Sequence, residues 1–280
     1  MYSLIILLTF AIGNGIYADI PVEDLKNEYA NEHSQFIEVD EMNVHYRDEG
    51  EGFPIVLIHG TAASLHTWDA WTDDLKKTNR VIRMDLPAFG ITGPNKNADY
   101  SLQAYTDFLN SFIEKLKLKK FHLAGNSLGG NIAWNYVADY PHKVEKLILV
   151  DASGLPTNKQ PPSIFKMAKN PLLKTLFLYV TPKMLIKKNI EEVYADDSKI
   201  TEELVNRYHK MALRVGNRKA FIDRAKTDFG SDSLVNINKL KTIMTPTLLI
   251  WGAQDLWIPI DNGIRMDRIL VNSTLKVLEK

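Results

Sequence analysis

Short apolar runs recur along this chain at Pro54–Ile58, Arg80–Met84, Phe121–Ala124, Lys146–Val150 and Thr247–Trp251, each bounded by turn residues and followed by a longer, helix-length segment. Runs that are apolar on both faces suit buried parallel strands, and the segments between them supply the crossovers. Helices are predicted over Trp68–Lys77, Leu102–Leu116, Leu128–Asp139 and Pro259–Leu270, and Leu275–Leu278 reads as a last strand. Ahead of this alternation, Gln35–Val39 and Asn43–Arg47 flank Asp40-Glu41-Met42 as a hairpin-like opening. The pattern predicts an α/β architecture, a mostly parallel sheet flanked by helices.

The alternation breaks between Leu155 and about Ser233, where helical patterns replace strand-like runs. Leu173, Leu176, Phe177 and Val180 fall at i, i+3, i+4 and i+7, one apolar face of a helix. Prolines 156, 161, 162, 171 and 182 punctuate the segment. An all-helical insertion between two core strands sits over the strand ends, where open α/β sheets bind ligands. The expected organisation is a core of residues 35–154 and 234–280 with a helical cap over 155–233. Residues 19–34 read as a polar, mildly acidic linker or surface helix.

Three motifs carry chemistry. Gly125-Asn126-Ser127-Leu128-Gly129 stands directly after one strand run and directly before a helix, the strand–turn–helix setting of a nucleophile elbow. The serine of such a turn is strained and projecting, so its neighbours two residues away must be small, and Gly130 lets the helix approach the sheet. Ile58-His59-Gly60-Thr61 ends an earlier strand. Acyl transfer needs donors aimed at the developing oxyanion, and the backbone N–H groups of Thr61 and Leu128 are the candidates; the bland alternative is a strand-ending turn. Trp251-Gly252-Ala253-Gln254-Asp255 follows the strand at Thr247–Trp251, and Asp255 there can orient an imidazole. Asp151, at the tip of Lys146–Val150, is the rival acid.

Together with Asp85-Leu86-Pro87-Ala88-Phe89-Gly90, these motifs resemble the α/β-hydrolase superfamily from about Gln35 to Lys280, in the capped branch that includes esterases, carbon–carbon bond hydrolases and cofactor-free haloperoxidases. The resemblance implies the α/β-hydrolase fold with an inserted helical cap, Ser127 as nucleophile, Asp255 as triad acid, and a structural rather than catalytic role for the Asp85 loop. Capped dehalogenases and epoxide hydrolases place Asp where Ser127 stands, which disfavours them. No metal or organic cofactor is implied.

The chain departs from that pattern in its histidines. The family's base follows the last core strand, yet no histidine follows Asp255; the seven present are His33, His45, His59, His66, His122, His142 and His209. His59 belongs to the oxyanion loop, His122 lies within a strand, and His209 would have to reach down from the cap. Without a base a serine hydroxyl is a poor nucleophile. The preferred expectation is that the histidine lies beyond Lys280; the alternative is a non-catalytic homologue that binds a small molecule under its cap. The functional expectation is cleavage of an ester or similarly activated carbonyl compound, with carbon–carbon bond hydrolysis by the same triad as the alternative.

Composition narrows the partners. Thirty-four basic residues balance thirty-four acidic ones, which gives no support for nucleic acid. There is no cysteine, so disulfides and thiolate chemistry are excluded. A largely apolar small molecule is the expected substrate. The first eighteen residues carry no charge, and Leu4–Ile12 is apolar except for Thr9. This run is short for a membrane span, which needs about 20 apolar residues, and Ala18 could precede a cut site. Residues 1–18 are therefore expected to be an export signal or short membrane anchor, though the usual amino-terminal Lys or Arg is absent. From Leu155 to Ile190 there are seven lysines and no acidic residue. This stretch is either a solvated helix pair whose apolar side lines the pocket or a face that meets anionic lipid.

Overall fold

A computed structural model describes residues 17–157, 159–160, 162–227 and 233–279. The expected signal or anchor over residues 1–18 lies, except for Tyr17 and Ala18, outside them. Among the described residues no helix is long and apolar enough to cross a membrane.

Eight strands form one sheet: β1 (Ser34–Val39), β2 (Met42–Glu49), β3 (Phe53–Ile58), β4 (Asn79–Met84), β5 (Phe121–Asn126), β6 (Val144–Val150), β7 (Thr247–Gly252) and β8 (Ser273–Leu278). Their spatial order is β1-β2-β4-β3-β5-β6-β7-β8. Only the β1–β2 and β2–β4 pairings are antiparallel. Asp40 and Glu41 turn the β1–β2 hairpin with positive φ of 48° and 61°. From β4 to β8 all strands run the same way, so their carboxyl ends share one rim.

Both faces of the central strands are covered, which is why their sequences are continuously apolar. Side chains alternate across a strand. Ile55 and Leu57 of β3 pack with Val81, Ala124 and Trp68 on one face. Val56 and Ile58 pack on the other with Phe108, Leu109 and Phe112 of α3 (Leu102–Lys115) and Ile132 of α4 (Leu128–Asp139). Nearer the amino terminus, α1 spans Val22–Tyr29 and α2 spans Asp69–Leu75, entered from a 3₁₀ turn at Leu65–Trp68.

Between β6 and β7 come α5 (Ser163–Lys169), α6 (Pro171–Phe177), α7 (Lys183–Glu191), α8 (Glu202–Leu213), α9 (Asn217–Lys226) and α10 (Ser233–Leu240), with α11 (Ile260–Ile269) before β8. Ile164, Ala168, Phe177 and Phe221 join this helical insertion to the main core. Ile186, Ile190 and Val205 form a cluster of their own. The stripe expected on Leu173, Leu176, Phe177 and Val180 does not become one buried face. The helix ends at Phe177, and that residue alone is fully packed, while Leu173 and Leu176 are exposed.

Residues 19–34, read as a linker or surface helix, strap the insertion to the sheet. Leu25 of α1 is fully buried against Ile91 and Met211, Ile20 pairs with the α8–α9 turn through Leu213 and Val215, and Asp19 meets Arg218 at 2.6 Å.

Asp85, at the end of β4, organises the loops beneath the site. Its carboxylate accepts hydrogen bonds from the Leu65 N–H at 2.8 Å, the Ile91 N–H at 2.9 Å and His45 Nδ1 at 2.8 Å. Burial alone would raise its pKa, but the hydrogen bond and charge of His45, with the Leu65 amide, hold it well below the usual carboxylate range. Asp85→Asn keeps the shape and loses the charge. Urea denaturation at pH 7 is expected to show a loss of about 2–3 kcal/mol. A depressed pKa stabilises above the ordinary value of 3.8 and ceases to do so as pH falls, so the deficit narrows below about pH 4.

Candidate active site

Ser127 sits between the end of β5 and the start of α4 with φ 53° and ψ −113°. A non-glycine residue in such a region costs about 1–3 kcal/mol and persists only where its surroundings enforce it. Here the Ser127 N–H donates to the Val150 carbonyl at 3.0 Å, and the Ser127 carbonyl accepts from the N–H groups of Asn131 and Ser153, both at 3.1 Å. The two motif glycines are required by contact. A Cβ on Gly125 would lie 2.2 Å from the Gly129 carbonyl oxygen, and one on Gly129 would lie 2.3 Å from that of Ile58. On Gly130 it would lie 2.5 Å from the Ala152 Cβ, so helix and sheet meet there at closest approach.

Ser127 is half-buried and lines a cavity of about 620 Å³ over the carboxyl ends of the parallel strands. Gly60, Thr61, Asp151, Asp255 and Trp257 line it from the core, and Ile164, Phe165, Phe177, Ile186 and Phe221 from the insertion. Of the sequence-derived candidates, Ser127, Thr61 and Asp255 thus share one cavity. Leu128 does not line it with its buried side chain. As the first residue of α4, however, its N–H has no acceptor within the helix. The loop that carries Thr61 runs close to Ser127: a Cβ on Gly60 would stand 3.1 Å from the Ser127 Cβ.

Two carboxylates face this space. Asp255 Oδ1 accepts from the N–H groups of Trp257 at 2.6 Å and Ile258 at 2.8 Å, which fixes the turn after β7. Burial raises its pKa, and these two amides oppose the rise. Asp151, directly after β6 with φ 44°, accepts from the Gly252 N–H at 2.9 Å. Burial pushes it up to about 6; the Gly252 amide works against this and the neighbouring charge of Asp255 adds to it.

No histidine lines the cavity among the described residues. His59 is fully buried, and both ring nitrogens are used: the Leu86 N–H donates to Nε2 at 2.9 Å, leaving the protonated Nδ1 to donate to the Gly60 carbonyl at 2.7 Å. Burial depresses its pKa. This neutral ring braces the loop after β3 and has no free lone pair. In the insertion, His209 Nε2 lies 2.8 Å from the Thr181 carbonyl.

Several polar groups at the cavity escaped the sequence analysis. Trp68 lines the cavity, and its buried Nε1 has no partner. Asn189 Oδ1, Asn217 Oδ1 and the Nε and Nη1 of Arg218 are likewise buried without a partner in residues that line it. Arg218 Nη2 donates to the Tyr17 carbonyl at 2.9 Å and to Asp19 Oδ1 at 2.6 Å. It is the one cation among the described lining residues. Nothing local in the sequence marks these positions, because the packing of α7, α9 and the 3₁₀ turn at Leu65–Trp68 brings them there. A link from the insertion to the acid turn was equally invisible: Trp257 Nε1 donates to Glu192 Oε2 at 2.9 Å.

Residues 54–280 match the family described as the alpha/beta hydrolase fold. A 2-hydroxy-6-oxononadienedioate/2-hydroxy-6-oxononatrienedioate hydrolase of a Pseudomonas species is 30% identical over 266 residues, covering 88% of this chain and 89% of that protein. A 2-hydroxy-6-oxo-2,4-heptadienoate hydrolase of Pseudomonas putida is 27% identical, covering 85% and 84%. The solved meta-cleavage product hydrolase of Pseudomonas fluorescens superposes with a TM-score of 0.74 at 24% identity over 87% of this chain and 88% of its own, a likeness of fold. Strand order, serine turn and the match over residues 54–280 agree: the chain belongs to the α/β-hydrolase fold family and is a hydrolase.

Proposed function

We propose that Ser127 attacks the carbonyl carbon of a substrate with a largely apolar body and one polar or anionic end, and that the bond cleaved is the carbon–carbon bond beside that carbonyl. The carrying observation is the single cavity shared by Ser127, Thr61 and Asp255, apolar except for a few open donors and acceptors. Ser127 Oγ forms the new bond to carbon as an imidazole takes its proton. The Thr61 and Leu128 N–H groups hold the oxyanion, and Asp255 orients the imidazole and balances its charge. Collapse expels the conjugated carbon group, which takes the proton back, and water then releases the acid from Ser127.

The imidazole would stand beside Leu278, which ends β8 and lines the same cavity as Ser127 and Asp255. Carbon–carbon cleavage is supported by the names of the two relatives, both dienoate or dienedioate hydrolases, and by Arg218, whose open donors suit a carboxylate. Ester hydrolysis, the second reading, uses the same steps and is favoured by the mainly apolar lining. Export or membrane anchoring through residues 1–18 belongs to the same proposal and rests on their apolar run.

Assay of the protein on 2-hydroxy-6-oxo-6-phenylhexa-2,4-dienoate beside a series of p-nitrophenyl esters tests the choice. Faster turnover of the dienoate is expected; turnover of esters alone assigns the second reading. In either case Ser127→Ala should abolish fluorophosphonate labelling and lower kcat by about 10⁶-fold. Arg218→Gln should raise KM for the anionic dienoate at least about tenfold and leave KM for a neutral ester unchanged. Asp255→Asn should lower kcat by about 10⁴-fold, whereas Asp151→Asn leaves it within about threefold, since Asp151 has no part in these steps. Asp151 titrates near 6 instead of 3.8, so its uncharged form favours the fold below pH 3.8 and that advantage is lost as pH rises through 6. Relative to wild type, Asp151→Asn should therefore gain on the order of 2 kcal/mol between pH 4 and pH 7 in denaturant titrations.

A further inference from the structure

Beyond its catalytic cavity, the insertion presents a second chemically distinct face. The chain as a whole is neutral, yet residues 155–190 carry seven lysines and no acidic residue. The rest of the sequence therefore holds seven negative charges in excess. Among the described residues, Lys183 pairs with Glu202 and Lys187 with Glu191, while Lys166, Lys169, Lys174 and Lys188 have no carboxylate partner.

Large apolar side chains stand among these cations in water. Leu172 is 84% exposed, Met184 74% and Tyr179 59%, with Leu173 and Leu176 also exposed. The helices that carry this face turn their opposite sides inward, where Ile164, Phe177 and Ile186 line the cavity. Long lysine side chains lie along apolar surface and place their charge at its edge, which is the composition of a helix seated in the headgroup layer of a bilayer.

We infer that the outer face of α5, α6 and the start of α7 docks on an anionic lipid surface. The charge asymmetry orients the molecule: an anionic surface attracts this face and repels the remainder of the chain. Docked in this way, the thin helical layer lies between the lipid and the cavity, and an apolar substrate can pass between them without crossing bulk water.

The chain contains no cysteine, so a single Leu172→Cys substitution places one environment-sensitive nitrobenzoxadiazole label on the face without background. Asp107→Cys, at an exposed position of α3, serves as the control. With phosphatidylglycerol vesicles the label at 172 is expected to shift to the blue and brighten several-fold. It should respond little to phosphatidylcholine vesicles, lose the response in high salt, and leave the 107 label silent. Lys166→Gln, Lys169→Gln and Lys174→Gln should each weaken the apparent vesicle affinity roughly fivefold. The inference is overturned if the 172 label stays in water while the protein floats with vesicles, which would assign binding to the amino-terminal run. It is equally overturned by an equal response at 107, or by a shift that needs no vesicles and grows with protein concentration, which would make the face a contact between two copies.

Discussion

A backbone held where an L-residue does not rest is the constraint around which this molecule is arranged. Ser127 keeps its left-handed conformation because three backbone hydrogen bonds, from Asn131 and Ser153 and to Val150, grip its amide and carbonyl. Those partners belong to α4 and to β6 with the chain just after it, so the strain is carried by the join between sheet and helix. Glycine at 125 and 129 follows from the same geometry, since carbonyl oxygens occupy the space a side chain would need. The conformation of Ser127 is thus the product of a packed core.

Around that point the parallel strands act as parallel rods whose ends define a plane. β3 delivers the amide loop, β5 the serine, β6 Asp151 and β7 the turn with Asp255. Two buried histidines serve this frame. His59 ties the β3 loop to Leu86, and His45 closes the Asp85 network one strand further out. Both are consumed by structure, with the two nitrogens of each ring already engaged. Burial raises the pKa of both carboxylates at the rim; two amides oppose the rise at Asp255, while at Asp151 one amide opposes it and the charge of Asp255 adds to it.

The core was legible because its physics is local. Strands buried on both faces leave uninterrupted apolar runs, and α4 begins and ends where the sequence predicts, at Leu128 and Asp139. The serine turn was legible for the same reason, since its steric demand falls on residues within two positions. The insertion was not. Leu173, Leu176 and Phe177 form a helical stripe, but a seven-residue helix between an Asn170 cap and Pro182 can bury only the side chain that its neighbours reach. Leu25, a lone buried leucine in a polar stretch, leaves no periodic signal, and its slot is made by Ile91 and Met211 from distant parts of the chain. Arg218 and Asn217 reach the cavity through the same long-range packing.

The hydrogen bond from Trp257 to Glu192 joins two pieces with separate duties, the turn that presents Asp255 and the end of α7 that roofs the cavity. Any outward swing of that roof must either break this latch or carry the acid's turn along with it. Because Asp255 is held by the Trp257 and Ile258 amides and not by Glu192, a roof that lifts by breaking the latch leaves that carboxylate in place.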